Sequence, residues 1–386
     1  MKALNIKFNR NELSGAFGDM GTSLPLIIGI LAVSGINAAS ALIMFGAMQI
    51  FTGIKYGIPI SVQPLKAFAT VIIAQKLAGD VIFAGGLVVG VIMLILSLTG
   101  LVDWLAKIVP LCVVRGIQFG LGVQLSILAV KSYIGSGSTS GYIIAAVAFI
   151  IALVLIGNRK YPPALFLMLL GLGFIIFTKP HGLLQSIVPS FNYPVINLNF
   201  TSANLINGFL LLALPQIPLS LGNSILATSQ ATRDYFPSRA VSVRKIGLTY
   251  SLMNLVNPFF GGIPVCHGSG GMAGHYTFGA RTGGSVVIYG SIFVVIGLFF
   301  ATGFQSFSLL FPFTILGVIL LFESLSLMLL MQDIIADKKQ LFITLIVGVI
   351  AINLPYGYAF ALLIGLFIYY LPLKLRFLKS IKPKVQ

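Results

Sequence analysis

The sequence predicts an all-α polytopic membrane protein with a 7+7 inverted-repeat transporter fold, in which one helix of each half is broken by a short extended piece. Three observations predict it. Apolar stretches of about 20 residues, long enough to span a bilayer as helices, follow one another from residue 13 to 373. The chain is 58% hydrophobic and only 8% charged, with a mean hydropathy of +1.03. Second, the halves match at one constant offset: Phe45 against Tyr250, Met48 against Met253, Gln49 against Asn254, Gly57 against Gly262 and Pro59 against Pro264. Third, of 24 Lys and Arg, nineteen fall on one side of the predicted membrane and three (Lys76, Lys131, Lys179) on the other, with Lys66 and Arg115 inside it.

Taken in order, the spanning segments are 13–34, 37–55, 63–76, 81–102, 110–130, 141–157 and 162–178. After a polar, proline-bearing linker at 179–202 come 204–229, 242–258, 268–280, 284–303, 308–331, 341–354 and 357–373. The first repeat is therefore residues 1–200 and the second 201–386. Seven is odd, so the second repeat enters the membrane inverted. The charge asymmetry then places both termini in the cytoplasm, in a cell (inner or plasma) membrane. The runs are continuous, unlike the alternating ~10-residue strands of a membrane barrel. The net charge of +16 lies in short loops and tails, which argues against nucleic acid as a partner and for the lipid bilayer. Cys112 and Cys266 are too few for a disulfide framework, and the N-terminus lacks a small-residue cleavage site.

Segments three and ten are short. About 13 residues of helix cover ~20 Å of a hydrocarbon core ~30 Å thick. Extended pieces at 58–63 and 263–267 supply the rest. Unpaired backbone in lipid costs several kcal/mol per group, so the two pieces are expected to pair with each other, antiparallel, near the midplane. Two half-helix N-termini then converge on one pocket, the arrangement that marks a transporter's binding site. Helix N-termini carry free N–H groups and partial positive charge, which suits an anion.

The residues there fit an anion. Ser61, Gln63, Ser269 and the amides of Gly268, Gly270 and Gly271 are small donors. Pro64 at a helix start costs no needed donor. Lys66, about one turn in, adds a full charge, and a charge at membrane depth reads as functional. Segment one brings Asp19 in a polar, glycine-rich run. Segment eight brings Gln216, Ser220, Asn223 and Ser224, which share a face at helical spacing. None of the segment-eight residues is acidic.

Five stretches in order, ELSGAFGDMGTSLPL, GIPISVQPLKA, VPLCVVRGIQFGLG, LPQIPLSLGNSI and GGIPVCHGSGGMAGHYTFGAR, resemble the signatures of the prokaryotic and plant molybdate transporter family, a relative of the sulfate permeases. The resemblance runs from Asn11 to about Arg281 and is weaker beyond. It implies the fold shared with sulfate and uracil permeases. Segments 1–4 and 8–11 (about 11–105 and 204–303) would form a substrate-carrying core, and segments 5–7 and 12–14 (about 110–178 and 308–373) a gate. It implies molybdate, or sulfate, as substrate. Gln63, Pro64 and Lys66 match the segment-three motif, Asn223 and Ser224 that of segment eight, and His267, Gly268, Ser269 and Gly270 that of segment ten. The nucleobase permeases carry an acid on segment eight, where this chain has Gln216 or Asn223. The tail after the last segment leaves no room for the STAS domain of sulfate permeases.

Other readings stand beside these. Lys66 touches substrate or neutralises Asp19, and the two are compatible. Asp19 is a proton-coupling group or a structural partner of segment three. Glu323, an isolated acid in segment twelve, serves gating, coupling or packing. Arg115, near the start of segment five, either snorkels to the cytoplasmic face or takes part in gating. His267 beside Cys266 gathers no further ligands, so no metal or cofactor is expected. His275 and Arg281 are placed near the membrane surface.

The function expected is secondary active uptake of a tetrahedral oxyanion, molybdate first, with protons as coupling ion. The alternatives are a sulfate or mixed sulfate, molybdate and tungstate permease and, more distantly, an anion channel. An enzyme would need clustered acids or histidines, and the eight acids and three histidines are scattered. A homodimer is one of the oligomeric states left open.

Overall fold

The computed structural model describes residues 6–135, 138–155, 163–178, 188–354 and 357–371. Each of the fourteen predicted segments carries a helix, and two further short helices lie between segments. In the first repeat they are α1 (Arg10–Ala16), α2 (Met20–Ser34), α3 (Ala38–Tyr56), α4 (Lys66–Gln75), α5 (Gly79–Thr99), α6 (Leu101–Ile108), α7 (Leu111–Ile134), α8 (Thr139–Leu155) and α9 (Pro163–Thr178). In the second they are α10 (Ser202–Tyr235), α11 (Val243–Val256), α12 (Ser269–Thr277), α13 (Gly284–Phe299), α14 (Ala301–Leu310), α15 (Phe313–Leu329), α16 (Lys338–Asn353) and α17 (Gly357–Tyr370). Among the described residues, α3, α5, α7 and α10 are each long and apolar enough to cross a membrane alone. The bent pairs α1–α2, at 46°, and α13–α14, at 98°, bring that number to six.

Side-chain caps start several of these helices. Asn9 accepts from the amides of Asn11 and Glu12, Asn37 from Ser40, Thr201 from Asn204, and Asp337 from Lys339 and Gln340, satisfying N–H groups that a helix start leaves open. The contacts follow a two-fold plan. Segment two packs on segment eleven (α3 on α13), and its image is segment nine on segment four (α11 on α5). Likewise α7 on α16 is matched by α15 on α8, and α8 on α9 by α16 on α17.

The α3–α13 seam is a near-contact of backbones. A Cβ on Gly46 would strike the Gly290 carbonyl, and one on Gly290 would strike the Gly46 carbonyl. Without a hydrophobic drive between helices in lipid, such small-residue seams carry association through close packing. The linker at 188–201 has neither helix nor strand. It ties down on the ends of both halves: Ser190 and Asn192 donate to the Phe299 and Leu298 carbonyls at 3.0 and 2.8 Å, and Val195 donates to the Ser40 hydroxyl at 2.8 Å.

Three segments differ from expectation. Segments four and eleven each end early, and a separate short helix follows: α6 after Gly100, which adopts a left-handed φ of 76°, and α14 after the 98° bend. They occupy equivalent places in the two repeats, between the fourth and fifth and between the eleventh and twelfth segments. Segment eight is not a regular α-helix either. It is π-wound at Gly208–Ala213 and Ser220–Leu226, either side of Pro215 and Pro218. A proline donates no N–H and crowds the carbonyl one turn back, so the turns around it widen.

Replacing Gly290 by Val should force α3 and α13 apart. A loss of about 1–3 kcal/mol or more is expected for a clash of this kind, read as a lowered thermal unfolding midpoint of the purified protein. A midpoint equal to wild type would show the seam to be looser than described.

Candidate anion-binding site

The two extended pieces form a two-stranded antiparallel sheet, β1 (Ser61–Pro64) and β2 (Val265–Gly268), with Ser61 opposite Gly268 and Pro64 opposite Val265. Every residue of both strands is buried. Each strand has a second edge, and a side-chain amide closes each. Gln49 on α3 donates to the Val62 carbonyl at 2.7 Å and accepts from the Val62 amide at 2.9 Å. Asn254 on α11 does the same for Val265, at 2.6 and 2.9 Å. Antiparallel strands alternate between residues that bond across the pair and residues that point outward. Val62 and Val265 are the outward ones, and Pro64, opposite Val265, also faces out. A proline there removes no cross-strand bond.

Both strands run straight into half-helices. The α4 helix begins at Lys66, and α12 begins at Ser269. Pro64 therefore lies in the strand rather than at the helix start, and Lys66 is the first helical residue rather than one turn in. The strand keeps Pro64 because it can extend through Leu65, whose amide bonds the Pro264 carbonyl at 3.2 Å. Neither helix has a side-chain N-cap at its own cap residue. Gln216 on α10 instead reaches the first turn of α4, accepting from the Ala67 amide at 3.0 Å. Its own amide donates to Ser220 at 3.1 Å, and Ser220 pairs with the Tyr250 hydroxyl at 2.7 Å.

A cavity of about 350 Å³ lies at these helix starts. Of the residues nominated from sequence, Gln63, Lys66, Gln216, Ser224, His267, Gly268, Ser269, Gly270 and Arg115 line it. Thr22, Leu219, Ala227, Cys266 and Leu330 complete the wall. The side chains of Asn223 and Glu323 lie outside the described residues.

Asp19 sits behind this wall. It is fully buried, accepts from Gln63 Nε2 and from the Ser23 hydroxyl at 3.1 Å, and lies against the backbone of Gly271 in the first turn of α12. Lys66 is near enough to attract its charge. Its geometry is that of a carboxylate orienting Gln63 toward the cavity. His267 is turned the other way: its Nε2 pairs with the Thr249 hydroxyl at 2.7 Å, and that hydroxyl pairs with Tyr56 at 2.5 Å.

Several placements were not legible. His275, expected at the surface, is fully buried, its ring edge-on to Tyr289 at 5.9 Å. Arg281 is at the surface as expected, stacked 3.7 Å over Tyr276. Glu12, which the sequence reading passed over, is buried and accepts from the amides of Arg281, Thr282 and Ser285 at 2.9, 2.9 and 3.0 Å. It thereby caps the start of α13 from the opposite repeat. A lone Glu in a polar run gives no sign of a partner so far along the chain.

With this geometry in view, the comparisons with known proteins are specific. A family model described as molybdate transporter of MFS superfamily matches residues 11–125 and 208–327. The chain is similar to Molybdate transporter 2 of Arabidopsis thaliana, 32% identical over 95% of this chain and 88% of that protein. It is also similar to Molybdate transporter 1 of the same plant, 31% identical over 83% and 80%. Its fold resembles the transmembrane domain of a cyanobacterium bicarbonate transporter, BicA, with a TM-score of 0.69, 16% identity and coverage of 95% of this chain and 98% of that one.

Gln49→Leu and Asn254→Leu should each leave a buried strand N–H and C=O without a partner. A cost of ~1–3 kcal/mol per orphaned group is expected, seen as a lower unfolding midpoint. Stability unchanged in both would mean that the strand edges are satisfied some other way.

Proposed function

The chain belongs to the molybdate transporter family, which makes it a multi-pass membrane transporter rather than an enzyme, and on that premise we propose that it takes up molybdate by secondary active transport. The observation that carries this reading is the ≈350 Å³ cavity at two half-helix starts, lined by Lys66, Arg115, Gln63 and Ser269. Helix amides, hydroxyls and two cationic side chains suit a tetrahedral dianion. Asp19 is withdrawn behind Gln63 and so leaves the positive wall in place.

The anion sits between the starts of α4 and α12, with Lys66 and Ser269 as direct ligands. The group of α1–α5 and α10–α13 moves as a core against the gate of α7–α9 and α15–α17, exposing the cavity alternately. The paired packing of α3 with α13 and of α5 with α11 supports a core that moves as one body, while α6 and α14 stand at the two crossings between core and gate. Both termini are cytoplasmic.

Uptake against an inside-negative potential costs ~2.3 kcal/mol per charge per 100 mV, so a dianion requires a driving ion. Protons supply it, with Asp19 the first candidate. It accepts from Gln63 and its negative charge offsets that of Lys66, so a proton on Asp19 favours an anion in the cavity. Glu323 is the second candidate.

Lys66→Ala and Ser269→Ala should weaken molybdate binding by purified protein without unfolding it, by roughly 10- to 100-fold for the lysine, as for hydrogen bonds to a charged group. Wild-type affinity in both removes the pocket assignment, and sulfate competing with equal affinity shifts the assignment to a mixed sulfate and molybdate permease. In proteoliposomes, an inward proton gradient should stimulate uptake by wild type, and Asp19→Asn should lose that stimulation while still exchanging molybdate. Wild-type uptake indifferent to the gradient refutes the coupling.

A further inference from the structure

Arg115 borders two cavities. One is the central cavity just described. The other, of about 470 Å³, shares Arg115 and Ala227 with it and continues past Ser229 and Gln230 to Arg233 near the end of α10. Arg115 is therefore a wall residue of both.

Most of its hydrogen bonds go to a carboxylate. Arg115 Nε donates to both oxygens of Asp333 at 3.1 Å, Nη2 donates to the same carboxylate, and Nη1 donates to Gln118 at 2.8 Å. Asp333 lies on the short 3-10 turn Leu330–Ile334, whose Leu330 itself lines the central cavity. The Asp333 side chain is 40% exposed and that of Arg115 is 16% exposed. Asp333 can therefore return to water at little cost, while Arg115 remains in the wall.

A carboxylate and a tetrahedral oxyanion offer a guanidinium the same feature, a pair of oxygens that accept two parallel N–H bonds. We propose that Arg115 is a ligand of the transported oxyanion and that Asp333 is its internal competitor, holding the guanidinium fork until the anion takes it. This rests on the oxyanion reading above and adds a selectivity to it. Lys66 on α4 and Arg115 on α7 bring two positive charges to one cavity, which matches a dianion and exceeds what a monoanion needs. Because Arg115 and Arg233 both line the second cavity, the anion it releases has a second cationic side chain ahead of it.

The test is equilibrium binding of molybdate and of perrhenate, a tetrahedral oxyanion with one charge, to the purified full chain. Asp333→Asn should tighten molybdate roughly 2- to 5-fold, the worth of a partly exposed ion pair. Arg115→Lys, which keeps the charge but loses the fork, should weaken it on the order of tenfold. Arg115→Gln should weaken molybdate more than perrhenate, and on that background Asp333→Asn should have no further effect. Unchanged or weaker molybdate binding by folded Asp333→Asn overturns the proposal. So does an equal loss of both anions in Arg115→Gln, the mark of a purely structural role. Should Asp333→Asn not fold, the Arg115→Lys affinity and the molybdate-to-perrhenate ratio decide. Wild type that binds no molybdate overturns the transport reading as well, whereas wild type that binds it and is weakened by Lys66→Ala leaves that reading standing whatever Arg115 does.

Discussion

Backbone polar groups in the middle of a membrane must be satisfied within the protein, and much of this architecture follows from that constraint. The chain leaves the helical state twice at that depth, and each departure would be costly alone. The two strands answer each other across their inner edge, and Gln49 and Asn254 answer them across the outer ones. With both strands accounted for in this way, α4 and α12 can begin inside the protein, at the edge of a shared cavity. The gain is electrostatic: helix starts favour negative charge, and here they sit beside Lys66 without an acid in the cavity wall among the described residues.

The fourteen-segment plan was legible because membrane helices must be long and apolar and because the two halves retain matching residues. The pairing of the extended pieces was legible from their shortness. Gln49 and Asn254 stood out only as aligned polar residues. Their role depends on reach: Gln49 brackets Val62, while Asn254, one methylene shorter, brackets Val265 rather than His267, the residue aligned with Val62. Repeat symmetry read from sequence therefore finds the device but not its register.

What was not legible has a common cause. The short helices α6 and α14 lie at the ends of apolar runs, where hydropathy cannot separate a span from a turn onto its side. The π-wound turns of α10 change the face that Ser224 and its neighbours present, which a regular helical count does not anticipate. The bond between Arg115 and Asp333 joins residues far apart in sequence, 218 positions, so no local pattern announces it. His275 read as a surface residue because it sits near Arg281, yet its ring turns inward onto Tyr289.

The strand pairing also has a consequence for biosynthesis. Ser61 finds its partner strand 207 residues later, and Glu12 finds the amides it caps at still greater separation, 273 residues for Ser285. At ~5–20 residues per second on the ribosome, β1 emerges roughly 10–40 s before β2. During that interval the nascent first half holds an open strand edge that lipid cannot satisfy. The inner edge of the first strand is thus satisfied only once the second half of the chain has been made.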